Sequence, residues 1–320
     1  MNDPLVSIVV PSFKQGAFIG TTISSILDQD YRNLECIVYD AGSTDETLDV
    51  LRSYNDPRLI WTSEPDKGQS DAINKGMRRA QGSILSYLNS DDVLTPGAVR
   101  FTVDYLKAHP KVDLLFGDCD LINETGAWIG ASPGEPFHLA EMLIGNHSIR
   151  QPGTFWKREV YEGIGDFDVA MHYSMDTDYW LRAVLAGFTL DYTPGVRAQF
   201  RLHTQSKSVS MQPKFLTDWR LMMSKVYAMP NLAPEIRALQ AESDAFADWG
   251  WAKTYWLGHD YTQARPLLKK FIAGGKWSRR LIASTMYIDS YLHTPMTRLT
   301  AFVFARATGR EILFSEKRAI

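Results

Sequence analysis

Short apolar runs alternate with amphipathic stretches over the first 116 residues. Residues 6–10 form a run rich in β-branched side chains that closes at Pro11-Ser12. Such a run suits a strand covered on both faces in a parallel sheet. Residues 17–27 then place apolar side chains at 18, 19, 23, 26 and 27, a helical spacing. The pattern repeats. A strand at 34–39 precedes a helix opened by the capping residues Ser43-Thr44-Asp45-Glu46, with Leu48, Leu51 and Tyr54 on one face. Strands at 59–62, 83–88 and 112–116 alternate with helices at 69–80 and 96–108. This alternation predicts an α/β fold with a mainly parallel, Rossmann-like sheet flanked by helices.

Every predicted strand ends in chemically capable residues: Ser12, Asp40, Glu64 to Asp66, Asn89 to Asp92, and Asp118. Ligands of open parallel sheets bind just beyond the carboxyl ends of the strands, so this convergence predicts a pocket. Residues 84–92 are its sharpest feature, an apolar run ending in Asn89-Ser90-Asp91-Asp92. Two adjacent carboxylates repel each other, which a hard cation bound through oxygen ligands would relieve. The competing reading makes Asp91 or Asp92 the N-cap of the helix at 96–108.

From 117 to 153 glycines and prolines punctuate short segments. A strand is expected at 151–157, a helix at 175–185 with Asp176 and Asp178 in its first turn, and an edge strand at 196–202 followed by His203. After Pro213 the composition shifts. Trp219, Trp249, Trp251, Trp256 and Trp277 at long helical spacing predict a helical region over 214–320. Within it Leu257-Gly258-His259-Asp260-Tyr261 with Ala264 resembles one turn of a tetratricopeptide helix pair. No second repeat accompanies it, so a plain helical extension is expected.

Composition changes this picture little. With 320 residues, 45% hydrophobic and 22% charged, the chain suits a soluble globular protein of about two domains. A net charge of −3 gives no reason to expect a nucleic-acid partner. Its distribution is uneven: 19 basic and 28 acidic residues up to 214, against 15 basic and 9 acidic after it. Cys36 and Cys119 lie in apolar runs and read as buried thiols. Met1-Asn2-Asp3-Pro4 does not begin a signal-type segment, and no run reaches the ~18 apolar residues of a membrane span. A cytoplasmic location is expected.

The loop after the first strand, Pro11-Ser12-Phe13-Lys14-Gln15-Gly16, holds a single glycine. It matches neither the GxGxxG turn nor the GxxxxGK[ST] phosphate loop. A phosphate ligand must be held another way, and a divalent cation on Asp91 would serve, since it neutralises a diphosphate leaving group. Asp40, at a strand end, can accept a hydrogen bond from a base or ribose.

Four segments in order carry a specific likeness: Val9-Val10-Pro11-Ser12-Phe13, Val38 to Thr47, Asp71-Ala72-Ile73-Asn74-Lys75-Gly76, and Tyr87 to Asp92. With Gly165-Asp166-Phe167-Asp168, Asp176 to Arg182, and Arg201-Leu202-His203, they resemble glycosyltransferase family 2 over about residues 1–210. The resemblance implies a GT-A fold over 1–213, with a nucleotide-sugar half at 1–118 and an acceptor and base half at 119–213. It implies a nucleotide-diphosphate sugar donor, UDP-linked, and inversion at the anomeric centre. Pro11, Ser12, Phe13, Asp40 and Ser43 would take the nucleotide, with Asp40 on the base. Lys67, Asp71 and Lys75 would meet phosphates or sugar. Asn89-Ser90-Asp91 stands where the family has its DxD motif, so Asp91 would hold Mn²⁺ or Mg²⁺, with Asp92 supporting the site and His203 reaching the metal or diphosphate. Asp176 would be the catalytic base.

Two departures bear on activity. Asn89 replaces the first motif carboxylate, and Met175 stands where the family pairs a glutamate with the base. Asp178 is the nearest substitute. One metal-facing carboxylate and one base remain, so an active enzyme is expected, and the alternative is a catalytically weak sugar-nucleotide-binding or interaction module. Arg150, Gln151, Pro152 and Trp156 could line the acceptor side or serve structure. The acceptor implied is a saccharide, free or lipid-linked, in bacterial surface polysaccharide or glycoconjugate assembly. The basic tail, from Arg279-Arg280 to Lys317-Arg318, has two readings: peripheral contact with the inner face of an anionic membrane, or a solvated helix face.

Overall fold

β1 (Val6–Ser12) is buried along its whole length and pairs in parallel with β2 (Leu34–Asp40) on one side and β4 (Ile84–Tyr87) on the other. An interior strand of a parallel sheet needs apolar residues throughout rather than alternation, which is why Val6, Ile8, Val9 and Val10 cluster there. β3 (Leu59–Ser63) adds in parallel outside β2. Beyond β4 the sheet becomes mixed. β8 (Phe155–Lys157) runs antiparallel to β4 and to β6 (Leu114–Ile122), and β9 (Leu190–Arg201) lies parallel to β6. The order is β3-β2-β1-β4-β8-β6-β9-β5, where β5 is the two-residue Val93–Leu94 and β7 (Trp128–Ser132) pairs with β6.

The computed structural model describes residues 3–204, 206, 212–274 and 277–292. They group into two units, one carrying the sheet, the other residues 143–145 and the helices from 212 onward. In the first, α1 (Ile19–Leu27) and α4 (Ala98–Ala108) bury Ile19, Ile23, Ile26, Val99 and Val103 in one core with Val6, Ile8 and Val38 of the sheet. α3 (Gln69–Arg79) also packs on β1. A Cβ on Gly76 would lie 2.3 Å from Val9 Cγ1, so only glycine permits this approach. Gly76→Ala is expected to destabilise the fold by about 1–3 kcal/mol, the usual cost of overpacking, read from the urea midpoint.

The second unit is helical, as expected. α8 (Gln212–Tyr227) is followed by a short α9 (Pro234–Arg237), then α10 (Gln240–Leu257), α11 (Tyr261–Gly274) and α12 (Trp277–Leu292). Trp249, Ala252, Ala264, Leu268, Phe271 and Met286 form its core. The segment 257–261 is the tight turn between α10 and α11, with His259 in a left-handed conformation (φ 60°). The basic tail of 293–320 lies outside the described residues. No helix among the described residues is long and apolar enough to cross a membrane.

Several sequence expectations are corrected. β9 is not an edge strand but lies between β6 and β5, and it starts six residues earlier than expected. β6 continues past Asp118 to Ile122, so Asp118 is not at a strand end. Its carboxylate accepts from Gly134 N, Gly195 N and the Tyr192 hydroxyl, each at 2.7 Å. Neither Asp91 nor Asp92 caps α4; Gly97 occupies the N-cap, with φ 79°. At α2 (Thr47–Ser53), Asp45 is the member of the expected capping segment that binds the first-turn groups, accepting from Thr47 N and Oγ1.

Candidate active site

Because β1, β2 and β3 are parallel and in register, Ser12 lies opposite Asp40 and Asp40 opposite Ser63. β4 pairs with β1 as far as Tyr87 opposite Val9. The polar ends of all four strands therefore reach one sheet edge. There the loop after β1 is clamped to the loop after β2 by three successive backbone donors: Lys14 N to Ser43 Oγ (2.7 Å), Gln15 N to Thr47 Oγ1 (2.9 Å) and Gly16 N to Asp45 Oδ2 (3.1 Å). Lys14 takes a left-handed φ of 55° to present its amide. Phe13 is exposed beside this clamp, while the Ser12 hydroxyl is buried without a hydrogen-bond partner.

Asp40 is 1% exposed and accepts from Gly42 N, Ser43 N, Ser43 Oγ and Ser63 Oγ. Its carboxylate faces its own loop, and Ser43 bonds both it and Lys14. Asp40 and Ser43 thus brace the loops at the place where they were expected to meet the nucleotide.

The segment after β4 is held from several sides. Thr22 Oγ1 donates to the carbonyls of Ser90 (2.9 Å) and Asp92 (2.8 Å). Gln69 Nε2 donates to Asn89 Oδ1 at 2.6 Å, and Asn89 Nδ2 reaches Asp92 Oδ2 at 3.1 Å. Arg201 bridges the two carboxylate residues, its backbone N–H on Asp92 Oδ1 (2.9 Å) and its Nε on the Asp91 carbonyl (2.8 Å). Asp91 Oδ2 lies 3.0 Å from His203 Nε2. The neighbouring carboxylates thus differ in setting. Asp91 retains 19% side-chain exposure, whereas Asp92 has none. Burial first, then the Asp91 charge, pushes the Asp92 carboxyl well above its ordinary range, with Arg201 and Asn89 opposing. Thr22 and Gln69 escaped the sequence reading, because neither adjoins a motif residue that would predict the contact.

Asp176 is the second residue of α7 (Met175–Leu185). Burial raises its pKa, opposed by the Thr177 amide and hydroxyl. The buried Tyr87 phenol is pushed up by burial, then by the charges of Asp176 and Asp92. Asp178, the expected substitute base, is 3% exposed and binds Arg182 Nε at 2.9 Å. Arg182 in turn donates to the Ile164 and Asp166 carbonyls. Asp178 is a structural ion pair. Trp156 is fully buried against Tyr87, Phe167, Tyr179 and Trp180, in the core rather than on an acceptor surface. Gln151 Nε2 donates to the Tyr87 carbonyl at 2.7 Å and fixes the strand end.

Of the three residues expected along the donor, Lys67 and Asp71 line a cavity of about 660 Å³ with Asn74, Arg78, Asp166 and Arg182. Lys75 instead pairs with Glu64 at 2.9 Å and donates to the Pro65 carbonyl. Among the described residues no group of three or more His, Cys, Asp or Glu side chains could hold a metal. Asp91 and His203 are a pair, so a cation there would need substrate oxygens and water to complete its shell. That donor set suits Mn²⁺ or Mg²⁺, which commonly bind through few protein groups plus phosphates.

The curled, mostly parallel sheet with a polar edge at the ends of β1 to β4 and a helical extension is the GT-A architecture of nucleotide-sugar glycosyltransferases. The chain belongs to glycosyltransferase family 2. The sequence profile described as Glycosyl transferase family 2 matches residues 7–163. A relative from Mycobacterium bovis (strain BCG / Pasteur 1173P2), named PGL/p-HBAD biosynthesis glycosyltransferase, is 30% identical over 186 residues, 57% of this chain and 70% of its own. Among solved structures, Staphylococcus aureus TarS 1–349 superposes with a TM-score of 0.63 at 17% identity, covering 95% of this chain and 92% of that one. The mannosyltransferase PcManGT from Pyrobaculum calidifontis, in complex with GDP-Man and Mn²⁺, gives 0.62 at 18% identity, covering 96% and 87%. At such identities the structures share the fold alone.

Proposed function

We propose that this glycosyltransferase moves a sugar from a UDP-linked donor to a hydroxyl of a saccharide or lipid-linked saccharide, with inversion, in surface polysaccharide or glycoconjugate assembly. Residues 1–213 form the catalytic domain, with the donor on 1–118 and the acceptor and base on 119–213. The observation that carries this reading is the pairing of Asp91 with His203 at 3.0 Å beside buried Asp92, where β4 ends. Asp91 and His203 are the residues that would hold Mn²⁺ or Mg²⁺. When bound, the cation neutralises the departing nucleotide diphosphate. Asn89, whose amide oxygen now accepts from Gln69, offers a further oxygen donor.

The protein groups do the rest. Ser12, with its unpartnered hydroxyl, and Pro11 and Phe13 flank the nucleotide, while Asp40 meets its base and, with Ser43, braces the loops around it. Lys67 and Asp71 meet the diphosphate or sugar, and Lys75 steadies that region through Glu64. Asp176 takes the acceptor hydroxyl proton as the new C–O bond forms and the anomeric C–O bond to the diphosphate breaks. The donor is supported by TarS 1–349, whose structure is described in complex with UDP-GlcNAc, and the metal by the Mn²⁺ of PcManGT. The pathway is supported by the biosynthetic name of the mycobacterial relative. Location on the inner face of the membrane fits a lipid-linked acceptor.

Product formation from a panel of UDP- and GDP-sugars with Mn²⁺, with the anomeric configuration read by NMR, tests the proposal. A UDP-sugar consumed with inversion is expected. Tight donor binding without turnover in any pairing would favour the alternative, a catalytically weak sugar-nucleotide-binding or interaction module.

A further inference from the structure

We propose that Phe18 is a positioning residue for His203, holding the imidazole so that Nε2 faces Asp91. The inference rests on the reading of Asp91 and His203 as the cation site, and adds a residue that acts on that site through His203. The imidazole is buried, with Nε2 at 3.0 Å from Asp91 Oδ2. A metal-binding histidine usually has its other ring nitrogen bonded to a carboxylate, a carbonyl or water, which sets the orientation of the ring. Among the described residues no protein group is hydrogen-bonded to His203 Nδ1. Backbone contacts anchor the residue, His203 N on Ser206 Oγ at 3.1 Å and Ser206 N on the His203 carbonyl at 2.9 Å. They leave the side-chain torsions free, and the last of these has a broad well in histidine. The group that meets the ring is Phe18, with centroids 4.9 Å apart and planes inclined by 38°.

Phe18 is mounted firmly enough to do this. It is the N-cap residue of α1 and half-buried, whereas Ile19 and Ile23 enter the core. Its N–H donates to the Gln15 carbonyl at 2.9 Å and its carbonyl accepts from Thr22 N at 3.2 Å. Gln15 N is in turn held by Thr47 Oγ1 in the clamp between the loops. The Arg201 guanidinium lies 5.1 Å from the centre of the Phe18 ring, a cation–π contact, and is itself bound to the carbonyls of Asp91, Asn123 and Glu124. Arg201 and His203, two residues apart, therefore both meet one ring. Four residues along α1, on the same side of the helix, Thr22 holds the carbonyls of Ser90 and Asp92. The start of α1 thus grips both partners, Thr22 the segment that carries Asp91 and Phe18 the imidazole. An aliphatic side chain would fill the space but offer neither a flat face to His203 nor a π-system to Arg201.

The test is calorimetric titration of the full chain with UDP, with and without Mn²⁺. Phe18→Leu should reduce the gain in UDP affinity that Mn²⁺ provides by about tenfold, the lower end of the loss when a group supporting a metal ligand is removed. Metal-free UDP affinity should stay at the wild-type value, and Phe18→Tyr, which keeps the ring, should restore the gain. In a His203→Ala background Phe18→Leu should cost nothing further, because residues that act through one another are not additive. If Phe18→Leu does not fold, Phe18→Met, unbranched and adaptable, takes its place in every comparison. The role of Phe18 is overturned if the leucine variant keeps the full gain, if metal-free and metal-dependent affinities fall together, or if the loss persists undiminished without His203. A wild-type chain whose UDP affinity Mn²⁺ does not raise would instead overturn the cation site itself, and this inference with it.

Discussion

Replacing Asp176 with asparagine is expected to lower sugar transfer by about 10²–10⁴-fold, the usual worth of a general base. Donor affinity, measured by calorimetry with the same UDP-sugar, should not change. The substitution keeps size and the contact from the Thr177 amide, so a loss confined to turnover reports lost proton acceptance. The pH profile adds an independent check. Burial raises the Asp176 pKa, and a base works only when ionised. Activity should therefore fall as pH drops through a limb lying above the ordinary aspartate range near ~3.9. Asp176→Glu should keep a limb of this kind, and Asp176→Asn should abolish it. Unchanged turnover in the asparagine variant would remove Asp176 from the mechanism. Asp178 offers a contrast: its carboxylate is bound to Arg182, so Asp178→Asn should lower the melting temperature more than it alters the pH limb.

The contrast between these two aspartates shows where sequence reasoning succeeds and where it stops. Position was legible. The runs at 6–10, 34–39 and 83–88 had to be interior strands, and their polar ends had to meet at one edge once they paired in parallel. Direction was not. A carboxylate at a strand end can serve a ligand, brace its own loop, or do both, and the four donors that Asp40 receives from its surroundings carry no signal in the sequence. β9 was half hidden because Pro194-Gly195 reads as a turn. In the folded chain the irregular register between β6 and β9 near Asp118 absorbs both residues, as bulges commonly do. The two-residue β5 has no periodicity to detect. The meeting of His203 with Asp91, 112 positions apart, was expected only through the family resemblance. The Gln69 to Asn89 bond had no sequence signal at all.

Asp91→Ala is expected to eliminate the gain in UDP affinity that Mn²⁺ provides, while metal-free binding persists. Two carboxylates are adjacent, and their settings decide between them. Asp92 is fully buried, receives the Arg201 amide and Asn89 Nδ2, and has its pKa driven well above the ordinary range by burial and by Asp91. It is poorly placed to offer a charged oxygen to anything outside. Asp91 keeps some exposure, and Oδ2 already faces an imidazole nitrogen of the kind a transition metal accepts. With Asn89 in the first motif position the site holds one negative charge fewer, so the whole electrostatic attraction for the cation rests on Asp91. His203→Ala removes a nitrogen donor but leaves the Asp91 carboxylate, and should weaken the metal-dependent increment without erasing it. Asn89→Asp restores the missing charge and should strengthen Mn²⁺ binding if Asn89 faces the cation. Titration of UDP with and without Mn²⁺ separates these outcomes. A full metal-dependent gain surviving in Asp91→Ala would move the cation elsewhere and leave the Asp91–His203 pair as a structural contact between the end of β4 and the end of β9.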